Sequence, residues 1–188
     1  MRPLLTPFLR RRRNKISARY AFGDILDLGC GCGESLAFIK NRGRYLGIDR
    51  EPYSFEGLPP GTDTSNATFI LCDLDNPDIP INGLFDSVLL VAVMEHLENH
   101  AKLLQWVRGV IKPGGNLIIT TPPPYAAAVH VLLARIGLTH KDAVSQHHCF
   151  FDKEDMSALL SSAGFDIKLY KRFEFGLNQL FVCQPRLQ

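Results

Sequence analysis

The sequence predicts an α/β fold built on a mostly parallel sheet, and three observations carry that expectation. Short apolar runs alternate with amphipathic helical stretches, the pattern of repeated strand–helix–strand units. The first of those runs opens directly into three glycines within five residues, Gly29-Cys30-Gly31-Cys32-Gly33. The last two runs are joined by a link too short for a crossover, so that pair turns back antiparallel.

Residues 25–28 form the first predicted strand. A helix from about Glu34 buries Leu36 and Ile39 and stops near Gly43. Strand two covers residues 44–49, and a Pro/Gly-rich stretch separates it from strand three at 68–72. Strand four, residues 86–92, is almost continuously apolar, as expected of a strand covered on both faces. A helix over about 95–111 places Leu103, Leu104, Val107, Val110 and Ile111 on one stripe. Lys112-Pro113-Gly114-Gly115 breaks it before strand five at 116–120. Pro122-Pro123-Pro124 then starts an insertion reaching residue 150, with a mostly apolar helix over 124–138. Asp152 caps a helix that runs to Ala163 and is closed by Gly164. The closing hairpin pairs residues 165–172 with 179–183. A chain of 188 residues suits one domain, here with an arm at 1–23 and a lid-like insertion at 121–150.

The net charge of +2 conceals a division. Residues 1–23 hold seven basic side chains and no acidic one, whereas the remainder holds 14 basic and 19 acidic. Hydrophobic residues at 46% and charged residues at 21% exclude a disordered or collagen-like chain. Five cysteines are an odd number in no disulfide-like spacing, which suits a reducing cytoplasmic setting. No run approaches the roughly 20 apolar residues needed to cross a bilayer, and the start lacks the order of a secretory signal. An Arg-rich, acid-free start also imitates an organellar transit peptide, but it runs into the first strand without a spacer.

Glycines in a strand–loop–helix setting let backbone approach a ligand, and exposed N–H groups at a helix start favour a negative group. The spacing is Gly-x-Gly-x-Gly, not the dinucleotide fingerprint. Asp49 ends strand two, 20 residues after Gly29, where a carboxylate can accept from ribose hydroxyls. Asp27 lies between Leu26 and Leu28, a costly place for an ionised carboxylate without a donor or cation beside it. Asp73 follows strand three, where an adenine amino group can be read.

The segments ILDLGCGCG, YLGID, LCDLD, FDSVLLVAVMEHL and IKPGG, in that order and spacing, resemble the class I S-adenosylmethionine-dependent methyltransferases. The likeness is strongest to the small type 11 and type 23 families and spans about residues 20–183. It implies a Rossmann-like seven-stranded sheet of order 3-2-1-4-5-7-6 with strand seven antiparallel. It also implies S-adenosylmethionine as cofactor and S-adenosylhomocysteine as product. By position, Asp27 with Gly29, Cys30, Gly31 and Gly33 would hold the methionine end. Asp49 would hold the ribose, with Arg50 beside it. Cys72, Asp73 and Leu74 would flank the adenine, while Leu90 and Val91 would supply backbone beside the cofactor. Cys32 departs from the small polar residue common at its position.

Methyl transfer needs a base only when the acceptor must lose a proton, as a hydroxyl must. His96, beyond strand four, is placed either as that base or as a histidine packing on the cofactor pocket. His147, in Gln146-His147-His148-Cys149, is placed either to orient an acceptor or to tie the insertion to the sheet. Cys30-x-Cys32 lies where small residues suffice, so no metal site is expected. The expected reaction is in-line transfer to a small or lipid- or glycan-linked acceptor, with oxygen as the receiving atom. The rivals are an NAD- or NADP-dependent oxidoreductase and a non-catalytic module that holds the cofactor.

Leu5, Phe8, Leu9 and Ile16 share one helical face of the arm. Three readings stand: a helix packed on the sheet edge with solvated arginines, contact with an anionic membrane surface or phosphate-bearing lipid, or contact with nucleic acid. The net acidic body argues against nucleic acid. So does Val91-Ala92-Val93-Met94, which stands where methyltransferases of nucleobase amino groups carry an Asn-Pro-Pro-aromatic motif.

Overall fold

A computed structural model describes residues 5–40, 42–52, 58–76, 79, 81–126, 129 and 149–187. Seven strands form one sheet in the order β3-β2-β1-β4-β5-β7-β6. They are β1 Gly23–Leu28, β2 Arg42–Asp49, β3 Ala67–Leu71, β4 Phe85–Val91, β5 Ile111–Thr121, β6 Phe165–Phe173 and β7 Asn178–Pro185. Strands β1 to β5 pair in parallel, and β7 runs antiparallel to both β5 and β6. The Rossmann-like α/β fold expected from the sequence is therefore present, including its terminal hairpin.

Alternation along the strands feeds two cores, one on each face. Leu26, Leu28, Val88, Leu90, Leu117 and Ile119 meet helices α2 (His100–Val110) and α3 (Lys153–Ser162) on one face. Ile25, Leu89, Ile118, Leu180 and Val182 face the other way, joined by Ala18, Leu36 and Ile39. Helix α1 (Leu5–Ser17) covers this second face, packing on β4, β5 and the turn after β1. It thus lies over central strands and not on the sheet edge. The expected apolar face is only partly buried: Ile16 packs on the second core and Leu9 is half-buried, but Phe8 is 58% exposed, while Asn14, Ser17 and Ala18 are buried.

Three further expectations change. The helix after the glycine loop is only a 3₁₀ turn, Glu34–Ala37, which already buries Leu36 before β2 begins at Arg42. The helix expected from residue 95 is split into a 3₁₀ turn, Met94–His96, and α2. Asp75 causes the split: its Oδ1 accepts from the Glu98 and Asn99 N–H groups, both at 2.9 Å, holding those residues out of helical geometry. Lys112–Gly115 does not precede β5 but belongs to it, as a register shift opposite Asp86. The Lys112 ammonium donates to Asp86 there at 2.8 Å. Most of the helix expected over 124–138, and His147 with it, lies outside the described residues.

Candidate functional site

Two cavities open at the C-terminal ends of the parallel strands, where an open α/β sheet forms its crevice. The first, about 620 Å³, is lined by Gly29, Asp49, Arg50, Asp73, Leu74, Asp75, Ala92, Val93, His96 and Leu97. The second, about 580 Å³, contains Asp27, the loop from Gly29 to Cys32, Ser35 and Val91, together with Arg10, Arg13 and Asn14 of α1. Gly29 and Ala92 line both, so the cavities adjoin across that pair.

The second cavity is anchored by Asp27, which is 1% exposed. The Tyr45 hydroxyl donates to its Oδ2 at 2.5 Å. Burial nevertheless dominates and lifts its carboxyl to about 6, against the lowering effect of Tyr45 and Ser35. Asn14 ties α1 to the rim: its Nδ2 donates to Glu34 at 3.1 Å, and Ser35 Oγ donates to its Oδ1 at 2.9 Å. Arg10 adds a 2.5 Å ion pair with Glu34.

The glycine loop behaves differently from the sequence expectation. The N–H groups of Gly29 and Cys30 both donate to the Ile48 carbonyl, at 2.7 and 3.1 Å. Gly31 donates to Asp49 Oδ2 at 2.7 Å and Gly33 to Cys30 O at 2.9 Å. Three of these donors are spent on the end of β2 and one within the loop, and only a single 3₁₀ turn follows, so no long helix dipole faces the cavity. Positive charge comes instead from Arg10 and Arg13 of α1. The glycines are still required, since Gly29, Gly31 and Gly33 all have positive φ.

Asp49 accepts from Gly31 and, through Oδ1, from Glu51 N–H at 3.0 Å. A carboxylate offers about four acceptor positions, so two remain. Asp73 is exposed on the first cavity, and Leu74 is buried beside it. Cys72 lines neither cavity. Leu90 is fully buried in the core and lines neither, while Val91 lines the second. The lip beyond is Ala92, with φ +57, whose N–H donates to Thr120 O at 2.9 Å.

His96 is half-buried on the first cavity. Beside it Glu95 is 1% exposed, with Oε2 unpartnered among the described residues. Burial raises the Glu95 carboxyl, against the opposing fields of His96 and Arg13. The sequence did not single out Tyr45, Ser35, Asn14, Arg10 or Arg13 for the site, whereas Glu95 stood beside His96 as a candidate base. Tyr45 alone left a signal: two residues before Gly47, it shares a strand face with the position that pairs with Asp27.

The chain is similar to trans-aconitate 2-methyltransferase of Escherichia coli, 24% identical over 160 residues, covering 78% of this chain and 58% of that protein. It therefore spans little more than half the length of that relative. Demethylmenaquinone methyltransferase of Tropheryma whipplei is 24% identical over 184 residues, covering 89% of this chain and 76% of that one. The crystal structure of an S-adenosylmethionine-dependent methyltransferase from Mesorhizobium loti shares the fold with a TM-score of 0.70 at 18% identity, covering 92% and 96% of the two chains. The profile of the methyltransferase domain family matches residues 2–169. The chain belongs to the class I S-adenosylmethionine-dependent methyltransferases.

Proposed function

We propose that this protein transfers a methyl group from S-adenosylmethionine to an oxygen of a small or lipid- or glycan-linked acceptor. The observation that carries the reading is the pairing of two adjoining cavities of different chemistry, with His96 on the wall of one. The second cavity sets an acid, Asp27, opposite the cations Arg10 and Arg13, which suits the ammonium and carboxylate of an amino-acid end. The first offers Asp49 for ribose hydroxyls and Asp73, beside Leu74, for an adenine amino group. Arg50 lies alongside Asp49 on the same wall.

When bound, S-adenosylmethionine supplies an electrophilic methyl group on a sulfonium. The chain supplies alignment and exclusion of water, which together account for about 7–11 kcal/mol of such barriers. The Ala92 lip and Gly29 separate the two cavities and so fix where an amino-acid end gives way to a nucleoside. His96 takes the proton of an acceptor hydroxyl as the oxygen accepts the methyl group and the thioether product leaves.

Calorimetry with S-adenosylhomocysteine, NAD and NADP tests the cofactor; binding of a nicotinamide nucleotide alone sinks the reading. Labelled S-adenosylmethionine with fractionated lipid, glycan and metabolite extracts identifies the acceptor. His96→Ala should then lower turnover about 10²–10⁴-fold while leaving S-adenosylhomocysteine binding within a few-fold. Unchanged turnover removes His96 as the base.

A further inference from the structure

On the outer side of α1 lies a groove of about 1060 Å³ that belongs to neither cavity described above. Arg12, Lys15 and Arg19 from the arm and Lys171 and Arg172 from β6 line it. All five are exposed. Arg10, Arg44, Lys112 and Arg186 sit in ion pairs elsewhere, yet none of these five does so among the described residues. The one acid in the groove, Glu174, is 4% exposed, and burial raises its carboxyl. The groove therefore presents almost unopposed positive charge on a body whose residues 24–188 are net acidic.

Aromatic side chains stand beside that charge. Phe8, Arg12, Lys15 and Arg19 recur at spacings of four, three and four, which is a single stripe along and just beyond α1. Phe8 is 58% exposed. Phe175 sits at the tip of the β6–β7 turn, where Glu174, Phe175 and Gly176 all have positive φ, and it is fully exposed. Tyr125, itself half exposed, braces the turn by donating to Gly176 O at 2.6 Å. A backbone conformation that L-residues rarely adopt is thus spent on holding a phenylalanine in water.

We propose that this face docks on an anionic phospholipid bilayer, with the five cations against lipid phosphates and Phe8 and Phe175 in the interfacial layer. Cations flanked by exposed aromatics match the two layers of a membrane surface, charged headgroups over hydrocarbon. A soluble phosphate would satisfy the groove but leave both phenylalanines in water. A nucleic acid would stack bases on aromatic faces, whereas Phe8 and Phe175 rise from separate elements on the groove's margins. No helix among the described residues is long and apolar enough to cross a membrane. Residues Arg12 and Arg13 both act on Glu174, and Arg13 lines the second cavity, so the docked face adjoins the proposed transfer site. The docking extends the lipid-linked reading of the acceptor.

The test is co-sedimentation with phosphatidylglycerol–phosphatidylcholine vesicles against pure phosphatidylcholine, without cofactor or acceptor, so its outcome is separate from that of the methyl-transfer reading. The expected result is partition onto the anionic vesicles only, weakening as salt rises. Lys15→Gln/Arg19→Gln/Lys171→Gln should lower it on the order of 100-fold, at roughly fivefold per cation. Phe175→Ala should lower it about tenfold. Both variants should keep S-adenosylhomocysteine binding, which shows them folded. Equal partition onto neutral vesicles, or partition unchanged by these substitutions, overturns the proposal. So does release from anionic vesicles by millimolar inorganic phosphate or by single-stranded RNA at matched ionic strength.

Discussion

The Tyr45 hydroxyl donates to the Asp27 carboxylate at 2.5 Å, joining neighbouring parallel strands across the floor of the second cavity. The bond favours ionised Asp27, but burial outweighs it and lifts the carboxyl to about 6 from an unfolded value of 3.8. The folded carboxyl therefore holds its proton more tightly than the unfolded one. Its contribution to stability is present below pH 4 and is lost as pH rises from about 4 to 6. A cationic ligand group reverses that preference, because it favours the ionised form.

Asp27→Asn should accordingly raise the stability of the ligand-free protein at pH 8 by on the order of 3 kcal/mol, with almost no effect at pH 4. S-adenosylhomocysteine affinity should rise with pH through about 6 in the native protein and be weak at every pH in Asp27→Asn. Tyr45→Phe removes a donor to the ionised form, so its affinity profile should shift to higher pH. Thermal unfolding and calorimetry across pH 4–8 check both effects. A native affinity that is flat across that range would remove Asp27 as the ammonium partner.

Gly29 and Gly31 separate two costs of adding a side chain. Both have positive φ, +71 and +54. A Cβ on Gly29 would fall 2.4 Å from Val93 Cγ2, on a β-branched side chain that is itself buried. On Gly31 it would meet nothing within 4 Å. Gly31→Ala should cost about 1–2 kcal/mol of backbone strain. Gly29→Ala should cost roughly 2–5 kcal/mol, since overpacking adds to that strain. Denaturant titration of the two variants side by side measures the difference, and equal losses would rule out the Val93 clash.

Strand order was legible only through the family that the five motifs resemble, whereas the short link before β7 by itself dictates the reversal of that strand. The acids were legible directly: Asp27, Asp49 and Asp73 stand in or just after strands, where position alone puts them near the crevice. The role of α1 was not. Its apolar residues suggested a face, yet Phe8 of that face is exposed and Asn14 is buried, because Asn14 docks on Glu34 and Ser35, polar cavity groups that come from elsewhere in the sequence. Hydropathy periodicity cannot register a helix held by such contacts. The loop donors were misread because their partner, the Ile48 carbonyl, becomes a neighbour only once β2 lies beside β1.

Asn14 concentrates the attachment of the arm. Its amide donates to Glu34 and to Arg10 O and accepts from Ser35, whose side chain is buried. Asn14→Ala leaves those partners short and should cost about 1–3 kcal/mol. Release of α1 would let the backbone around Arg10–Arg13 leave its helical geometry, so limited trypsin digestion should cut there faster in the variant. S-adenosylhomocysteine binding should weaken in parallel, because Arg10 and Arg13 would leave the second cavity. Faster cleavage with unchanged binding would show that the arm anchors to the cavity without serving it.

Ala92 gives the last test, since it is a non-glycine residue held at φ +57 on the lip shared by both cavities. Its N–H is fixed by Thr120, whose carbonyl and hydroxyl lie at 2.9 and 3.1 Å. Strain of about 1–2 kcal/mol is stored there. Ala92→Gly releases the strain but gives the unfolded chain more freedom, so its stability should stay within about 1 kcal/mol of the native protein. Ala92→Val places a β-branched side chain in the same conformation and should cost more than that. If the strained lip positions the ligand, Ala92→Gly should weaken S-adenosylhomocysteine binding with its melting temperature almost unchanged. Native affinity in Ala92→Gly would mean that the strain serves the β4–β5 join and not the site.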